Sequence, residues 1–253
     1  MTFDPGGYGH GGYGRPQTPQ IRFGGPITPV LKYFMIACAG VFVLQFLWRG
    51  WGMTPTLEEL FGLYTPYFWR GAFFQIVTYS FLHGSPLHLG FNLLVLWMFA
   101  GELEVLWGRK RFAAYMIITA VGAALCQLLF TPLLPVPVIG ASGIVYGMLL
   151  AFGITFPNRI VLLFFVIPMR VKWLVIGLGV MEFMMAFNPG SQTNIAHLAH
   201  LGGMLFGYLF LRWDKVILRM RDRYYRRKLE KRRKKNSHIF VVKDDEDEPP
   251  YVH

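Results

Sequence analysis

The sequence predicts an all-α membrane protein: a bundle of six transmembrane helices with a long first loop on the outer side. Three observations carry that expectation. Of 253 residues, 54% are hydrophobic and 17% aromatic, while only 15% are charged, against about a quarter charged in ordinary soluble domains. Six apolar runs approach the roughly 20 helical residues needed to cross about 30 Å of hydrocarbon. Lys and Arg cluster on alternate connections, as expected where positive flanks stay cytoplasmic.

Taken in order, the predicted spans cover about residues 29–48, 87–107, 112–130, 141–156, 170–187 and 194–212, the fourth being the shortest. The run "IVLLFFVIP" (160–168) is too short to span and ends at a proline, so it reads as interfacial or as the approach to the fifth span. Arg15, Arg22 and Lys32 lie near the first span, Arg109, Lys110 and Arg111 between the second and third, and Arg159, Arg170 and Lys172 between the fourth and fifth. Both termini are therefore expected in the cytoplasm, with bacterial inner (plasma) membrane as the expected location. The connections "TPLLPVPV" and "NPGSQT" carry no Lys or Arg and are expected outside, with the aromatic-rich first loop at about 49–86 dipping partly helical into the headgroup layer.

The expected organisation is a flexible Gly/Pro-rich cytoplasmic N-terminus at 1–28, a six-helix domain at 29–212 and a charged cytoplasmic tail at 213–253. The N-terminal stretch lacks the apolar core of a cleavable signal, so the first span is expected to target the chain. Cys38 and Cys126 both fall inside spans, which argues against a disulfide framework or a cysteine metal site. The net charge of +11 arises mostly from "LRMRDRYYRRKLEKRRKK", followed by the acidic "DDEDE". Beside a membrane such a basic helix is drawn to anionic lipid, at about 1 kcal/mol per basic residue, and no nucleic-acid partner is expected.

Polar side chains inside spans are costly and mark sites or satisfied internal contacts. His83, His88, Asn92, Glu102, Glu104, Ser142, Tyr146, Glu182, His197 and His200 are such residues. His88 and Asn92 share one helical face at i and i+4. With Ser142 and the two histidines of the last span, they converge at one depth. A serine hydroxyl is a weak nucleophile until a base takes its proton, a task suited to histidine with its reference pKa near about 6.5. Gly143 and Gly147 on the fourth span, and Gly203 and Gly207 on the sixth, form small-xxx-small pairs that let two backbones approach closely. Ser142 at a helix N-terminus would lie among free N–H groups that favour a developing oxyanion, with His88 and Asn92 as further donors. At about 100° per residue, His200 lies on the Gly203/Gly207 face and His197 about 120° from Gly203, off that face. His200 is therefore the expected base and His197 a polar contact. Glu182 is expected to be a structural hydrogen-bonding group, the alternative being a group that orients a catalytic histidine.

These motifs resemble the rhomboid family of intramembrane serine proteases. "HGSPLHLGFN" is similar to the family's second-helix signature at His83, His88 and Asn92, and "GASG" at Gly140 to Gly143 resembles its nucleophile motif. Tyr146 falls where the family carries a tyrosine stacked on the catalytic histidine, and "HLGGMLFG" resembles the sixth-helix pattern of His200, Gly203 and Gly207. "ELEVLWGRKRF" is also similar, with Glu104, Gly108 and Phe112 at familiar places. The resemblance implies a dyad of Ser142 and His200 without a third acid. It implies an oxyanion hole from the Ser142 backbone, His88 and Asn92, and cleavage of single-span membrane proteins near their outer end. No metal or other cofactor is implied. One departure is that Phe74 and Gln75 stand where some bacterial members carry a Trp-Arg pair, while the chain's own Trp69 and Arg70 come earlier.

Three other readings compete. A zinc intramembrane protease needs His-Glu-x-x-His, and "HLAHL" lacks the glutamate. A transporter also carries polar residues in its spans, but no inverted repeat is visible. A non-catalytic binder of membrane proteins has no need of both Ser142 and His200.

Overall fold

The computed structural model describes residues 24–132, 136–163, 166–187 and 194–236. The N-terminal stretch to residue 23, the connection "NPGSQT", part of "TPLLPVPV" and the acidic end of the tail lie outside the described residues. The chain divides into two compact units, Met1–Tyr208 and Leu209–His253. That division falls a few residues before the expected 212/213 boundary.

The first helix, α1 (Pro29–Gly50), starts on a proline, whose missing N–H has no helical acceptor to lose there. Its remaining free donors are met from across the fold. Glu104 accepts hydrogen bonds from the Thr28 hydroxyl and from the Val30 and Leu31 N–H groups, both at 3.0 Å. A carboxylate at a helix N-terminus also suits the positive end of its dipole. Glu104 belongs to α5 (Pro86–Trp107), and the preceding strap lies along that same helix, with Gly25 N–H donating to Trp97 O at 3.0 Å.

Between α1 and α5 the chain folds into three short helices, α2 (Leu57–Phe61), α3 (Thr65–Phe68) and α4 (Gln75–Thr78), the last running into a 3-10 turn at Tyr79–Phe81. The partly helical expectation matches this segment. Thr56 and Glu59 cap α2 reciprocally. Gln75 is fully buried, accepts from Tyr64 N–H, and donates to the Glu59 and Leu60 carbonyls. The residue that departs from the family's Trp-Arg pair is thus a tie between α2 and α4, while its neighbour Phe74 is exposed.

Ser85 caps α5 by accepting the His88 N–H at 3.1 Å. Gly108, at a φ of 79°, breaks α5 from α6 (Arg109–Phe130). α7 (Ser142–Thr155) is the central helix: nine of its 14 residues are buried, and α5, α6 and α8 (Val171–Ala186) all pack on it. The final helix, α9 (Asn194–Asn236), carries His197, His200, Gly203 and Gly207 in the first unit.

One correction concerns residues 160–170, and with it the all-α expectation. The apolar run expected to be interfacial or the approach to the fifth span leads into α8 as an antiparallel pair, β1 (Ile160–Leu163) and β2 (Ile167–Arg170), in register Ile160 to Arg170 and Leu163 to Ile167. β-branched Ile160, Val161 and Ile167 favour the extended backbone. Pairing gives that backbone internal partners, which a lone apolar strand beside lipid lacks.

Among the described residues, α1, α5 and α6 are long and apolar enough to cross a membrane, and α7 is a shorter apolar helix. Exposed Trp173, Ile176, Val180, Phe183 and Met184 leave α8 with a broad apolar outer face, the surface expected of a helix beside lipid rather than water.

If Glu104 is what holds α1, Glu104→Ala leaves three donors unmet and should lower unfolding stability in detergent by about 1–3 kcal/mol. An unchanged denaturation midpoint would remove Glu104 from that role.

Candidate active site

The segment that leads into α7 has its backbone held by its neighbours. Val138 and Leu63 exchange two backbone hydrogen bonds, at 2.9 and 3.0 Å, and the Gly140 N–H donates to Tyr79 O at 3.0 Å. The Tyr79 hydroxyl in turn donates to Ala120 O of α6 at 2.8 Å. Non-helical backbone at membrane depth persists only where protein supplies such partners.

Gly140 has a φ of +125°, which side-chain-bearing residues rarely adopt. A Cβ there would also lie 2.8 Å from both Cε1 and Nε2 of His88. Glycine is required twice over: for the turn that starts α7 at Ser142, and to admit the His88 ring. Gly140→Ala should therefore cost at least about 1–3 kcal/mol of stability from backbone strain, and thermal unfolding in detergent checks it.

His88 Nδ1 accepts the Gly84 N–H at 3.4 Å, so the neutral ring carries its proton on Nε2, the nitrogen facing Gly140. Asn92 is buried and donates to His88 O at 3.1 Å. The second N–H of its amide makes no hydrogen bond among the described residues. Behind them lies His83, fully buried, edge-on to His88 with ring centroids 5.1 Å apart. Its backbone is clamped by Gln45, which accepts from His83 N–H at 3.0 Å and donates to His83 O at 3.2 Å. Gln45 also donates to Glu58, which pairs with Arg49. Nothing in the sequence singled out Gln45, because a glutamine in an apolar helix carries no motif.

His83 Nδ1 faces Phe81 O at 3.2 Å, and Nε2 has no hydrogen-bond partner among the described residues. Burial first, and then the adjacent His88 ring, push this imidazole down to about 4. Its unfolded value is near about 6.5, so the unfolded chain binds more protons between those two pH values, and stability falls as pH drops through that window. His83→Gln should flatten the fall in melting temperature between about pH 6.5 and 4, and an identical pH profile would argue against it.

Ser142 begins α7, and the N–H groups of that first turn have no intrahelical acceptors. His200 Nε2 lies 2.8 Å from Ser142 Oγ. On the far side of the ring, His200 Nδ1 lies 3.0 Å from Glu182 Oε2. A carboxylate at Nδ1 holds the proton on that nitrogen and leaves Nε2 as the acceptor for the serine hydroxyl. Tyr146 stacks on the His200 ring, with centroids 4.2 Å apart and planes 13° from parallel, and its hydroxyl donates to Glu182 Oε1. His197 Nδ1 lies 2.6 Å from the same Oε2.

These contacts need α7 and α9 to touch. A Cβ on Gly203 would stand 2.0 Å from Gly143 O of α7, while one on Gly207 would stand 2.3 Å from the Tyr115 hydroxyl of α6. Gly147 is equally confined, with Thr119 2.5 Å from its would-be Cβ.

The structure thus brings together Ser142, His200, Tyr146, Gly140 and His88, with Asn92 one turn along α5 from His88, His83 one layer behind, Gly143 and Gly203 at the crossing of α7 and α9, and Gly207 against Tyr115 of α6. It also brings in two residues whose position the sequence left open. Glu182, expected to be structural, receives three hydrogen bonds at the base. His197, expected as a polar contact, makes it to that same carboxylate. The resemblance implies a pair without an acid, whereas here a carboxylate sits on the distal nitrogen of His200.

A half-buried serine at the mouth of a short helix, hydrogen-bonded to an imidazole inside an apolar helical bundle, defines the class: a membrane protein built around a serine–histidine pair. A profile of the Rhomboid domain matches residues 69–213, and the chain belongs to the rhomboid family. It is 31% identical over 140 residues to Rhomboid protein 1, mitochondrial, of Saccharomyces cerevisiae (strain ATCC 204508 / S288c), covering 54% of this chain and 40% of that protein. It is 29% identical over 193 residues to Rhomboid protease GlpG of Yersinia pestis (strain Pestoides F), covering 74% of this chain and 63% of that protein. To Rhomboid protease GlpG of Yersinia pseudotuberculosis serotype I (strain IP32953) it is 28% identical over 199 residues. The chain thus spans 40% to 63% of the length of these relatives.

Proposed function

We propose that this chain is an intramembrane serine endopeptidase that cleaves single-span membrane proteins near the outer side of the bilayer. The observation that carries this reading is the 2.8 Å contact between Ser142 Oγ and His200 Nε2, at the N-terminus of a helix whose first three N–H groups have no intrahelical acceptor. The name "Rhomboid protease" of two relatives supports it.

In this reading Ser142 Oγ attacks the scissile carbonyl carbon and its proton passes to His200 Nε2. Charge develops on the carbonyl oxygen, where the Ser142 N–H, His88 Nε2–H and the free Asn92 N–H donate to it. The imidazolium forms between the Glu182 carboxylate and the face of Tyr146, both of which favour a cation. His200 then gives its proton to the leaving amine, and water, deprotonated by the same nitrogen, releases the acyl group. Glu182 is a positioning residue: it fixes the tautomer and orientation of His200 and does not touch substrate.

We assign six membrane crossings to α1, α5, α6, α7, α8 and the first part of α9, with both termini cytoplasmic and the α2–α4 segment outside. α7 has 14 residues, about 21 Å at 1.5 Å per residue, short of the roughly 30 Å hydrocarbon layer. With its far end at the cytoplasmic face, Ser142 is recessed below the outer one, where a bound peptide is shielded but water can enter from above. The basic tail lies against anionic lipid, and the membrane is the bacterial inner membrane.

Purified full-length chain in detergent should react with a fluorophosphonate probe, and Ser142→Ala should abolish both labelling and cleavage of a single-span reporter. Undiminished cleavage in that variant would end the reading. His200→Ala should lose nearly all cleavage while His197→Ala retains a substantial part, and the reverse would mean that the base is misassigned. Loss of His88 or Asn92 should lower kcat by up to about 10²- to 10³-fold. Glu182→Gln should lower kcat by about 10²-fold with KM and melting temperature unmoved; a drop in melting temperature alone would leave Glu182 purely structural.

A further inference from the structure

Glu182, His197 and His200 present a donor set that the proteolytic reading uses only in part. Among the described residues these three offer one ligating atom each, all within 4.8 Å of one another. The atoms are Glu182 Oε2 and the two Nδ1 nitrogens, at 2.6 and 3.0 Å from that oxygen. Neighbouring ligands on a tetrahedral zinc stand about 3.3 Å apart when each bond is about 2.0–2.1 Å. Room for an ion at the point where two protons now meet one oxygen therefore opens when His197 Nδ1 withdraws by about 0.7 Å and His200 Nδ1 by about 0.3 Å, with the two nitrogens, now within 4.8 Å of each other, settling about 3.3 Å apart. The carboxylate is nearly buried, with 2% of its side chain exposed, while His197 and His200 keep 19% and 14% exposed. The approach is past the histidine rings rather than through the bundle.

We infer that Glu182, His197 and His200 form a reversible inhibitory site for a divalent transition metal, zinc above all. Two imidazoles and one carboxylate make the donor set of many catalytic zinc sites, with the fourth position left to water. Magnesium and calcium, which favour all-oxygen shells, do not suit it. Both imidazoles carry their proton on Nδ1 when they donate to Glu182, so metal at Nδ1 sends each proton to Nε2. At His197 that shift is harmless. At His200 it puts a proton on the nitrogen that must accept one from Ser142. The ion replaces two hydrogen bonds with three coordinate bonds, and no bond to Ser142 is made or broken. Binding stands on this geometry alone. Inhibition rests on the assignment of His200 as the general base.

The two parts separate experimentally. Full-length protein in detergent micelles, titrated with Co²⁺, should show the visible absorption of tetrahedral cobalt, saturating at one ion per chain, and Zn²⁺ should displace it. Ser142→Ala should bind as wild type does, because Ser142 is not a ligand, while His197→Ala and Glu182→Gln should lose the signal. Zn²⁺ should also raise the melting temperature of wild type and Ser142→Ala by mass action, a readout that needs no ligand variant to fold. In wild type, saturating Zn²⁺ should slow fluorophosphonate labelling by about 10²-fold. A chelator should restore the rate, and the residual labelling of His197→Ala should not respond to Zn²⁺. An absent cobalt spectrum, one unchanged in His197→Ala, or one with thiolate charge transfer would overturn the site. Cobalt binding that leaves labelling untouched would overturn the inhibition. If metal-free wild type is not labelled at all, the proteolytic reading fails, and cobalt binding lost in His197→Ala would still establish the metal site.

Discussion

Everything at the site depends on how closely α7 and α9 approach. Gly203 stands so near Gly143 that one methyl group on it would fall 2.0 Å from a backbone oxygen. Helices with ordinary side chains at the crossing keep their axes about 8–10 Å apart, and an imidazole on one would then fall short of a hydroxyl on the other. Removing side chains at the crossing converts a polar pair in an apolar bundle into a hydrogen bond of 2.8 Å. In a membrane this also suits the energetics. Lipid offers no hydrophobic drive for helices to associate, so close backbone packing and interhelical hydrogen bonds must supply it.

Around that crossing, polar groups contact one another in a chain that reaches across the first unit. Gln45 of α1 holds the His83 backbone, His83 stacks edge-on to His88, and His88 fills the space left by Gly140. On the opposite side of the serine, Tyr146, His197 and His200 all turn to Glu182. Gln45, His83 and Glu182 are buried, and a buried polar group left without partners is expensive away from water. The network therefore rigidifies as a unit. The residues behind the serine position its partners through these contacts.

Glu182 is the point where stability and chemistry meet. A carboxylate this buried requires compensation, and its two oxygens receive a phenol and two imidazoles. Those same contacts fix which nitrogen of His200 is free. The arrangement departs from the pair without an acid that the resemblance implies, and it is the property of one residue on α8.

The sequence by itself determined the membrane character and the positions of the long apolar helices, and it singled out Ser142, His200, His88 and Asn92 as candidates, because hydropathy runs and motif spacings are local. It also marked Gly143 and Gly203, since small residues at helical spacing are legible without knowing their partner. It did not determine the hairpin at 160–170, where a short apolar run fits strand and interfacial helix alike until its pairing partner is known. Nor did it reveal that Gln45, Gln75 and Glu104 tie elements together. A lone amide or carboxylate in a helix has no pattern, and its meaning lies in what sits opposite in space. For the same reason only the tertiary structure decided that Glu182 and His197, separated by 15 residues and a connection, share an oxygen with His200. Packing of α7 against α8 and α9 brings those three side chains to one point, and no periodicity along the chain encodes that distance.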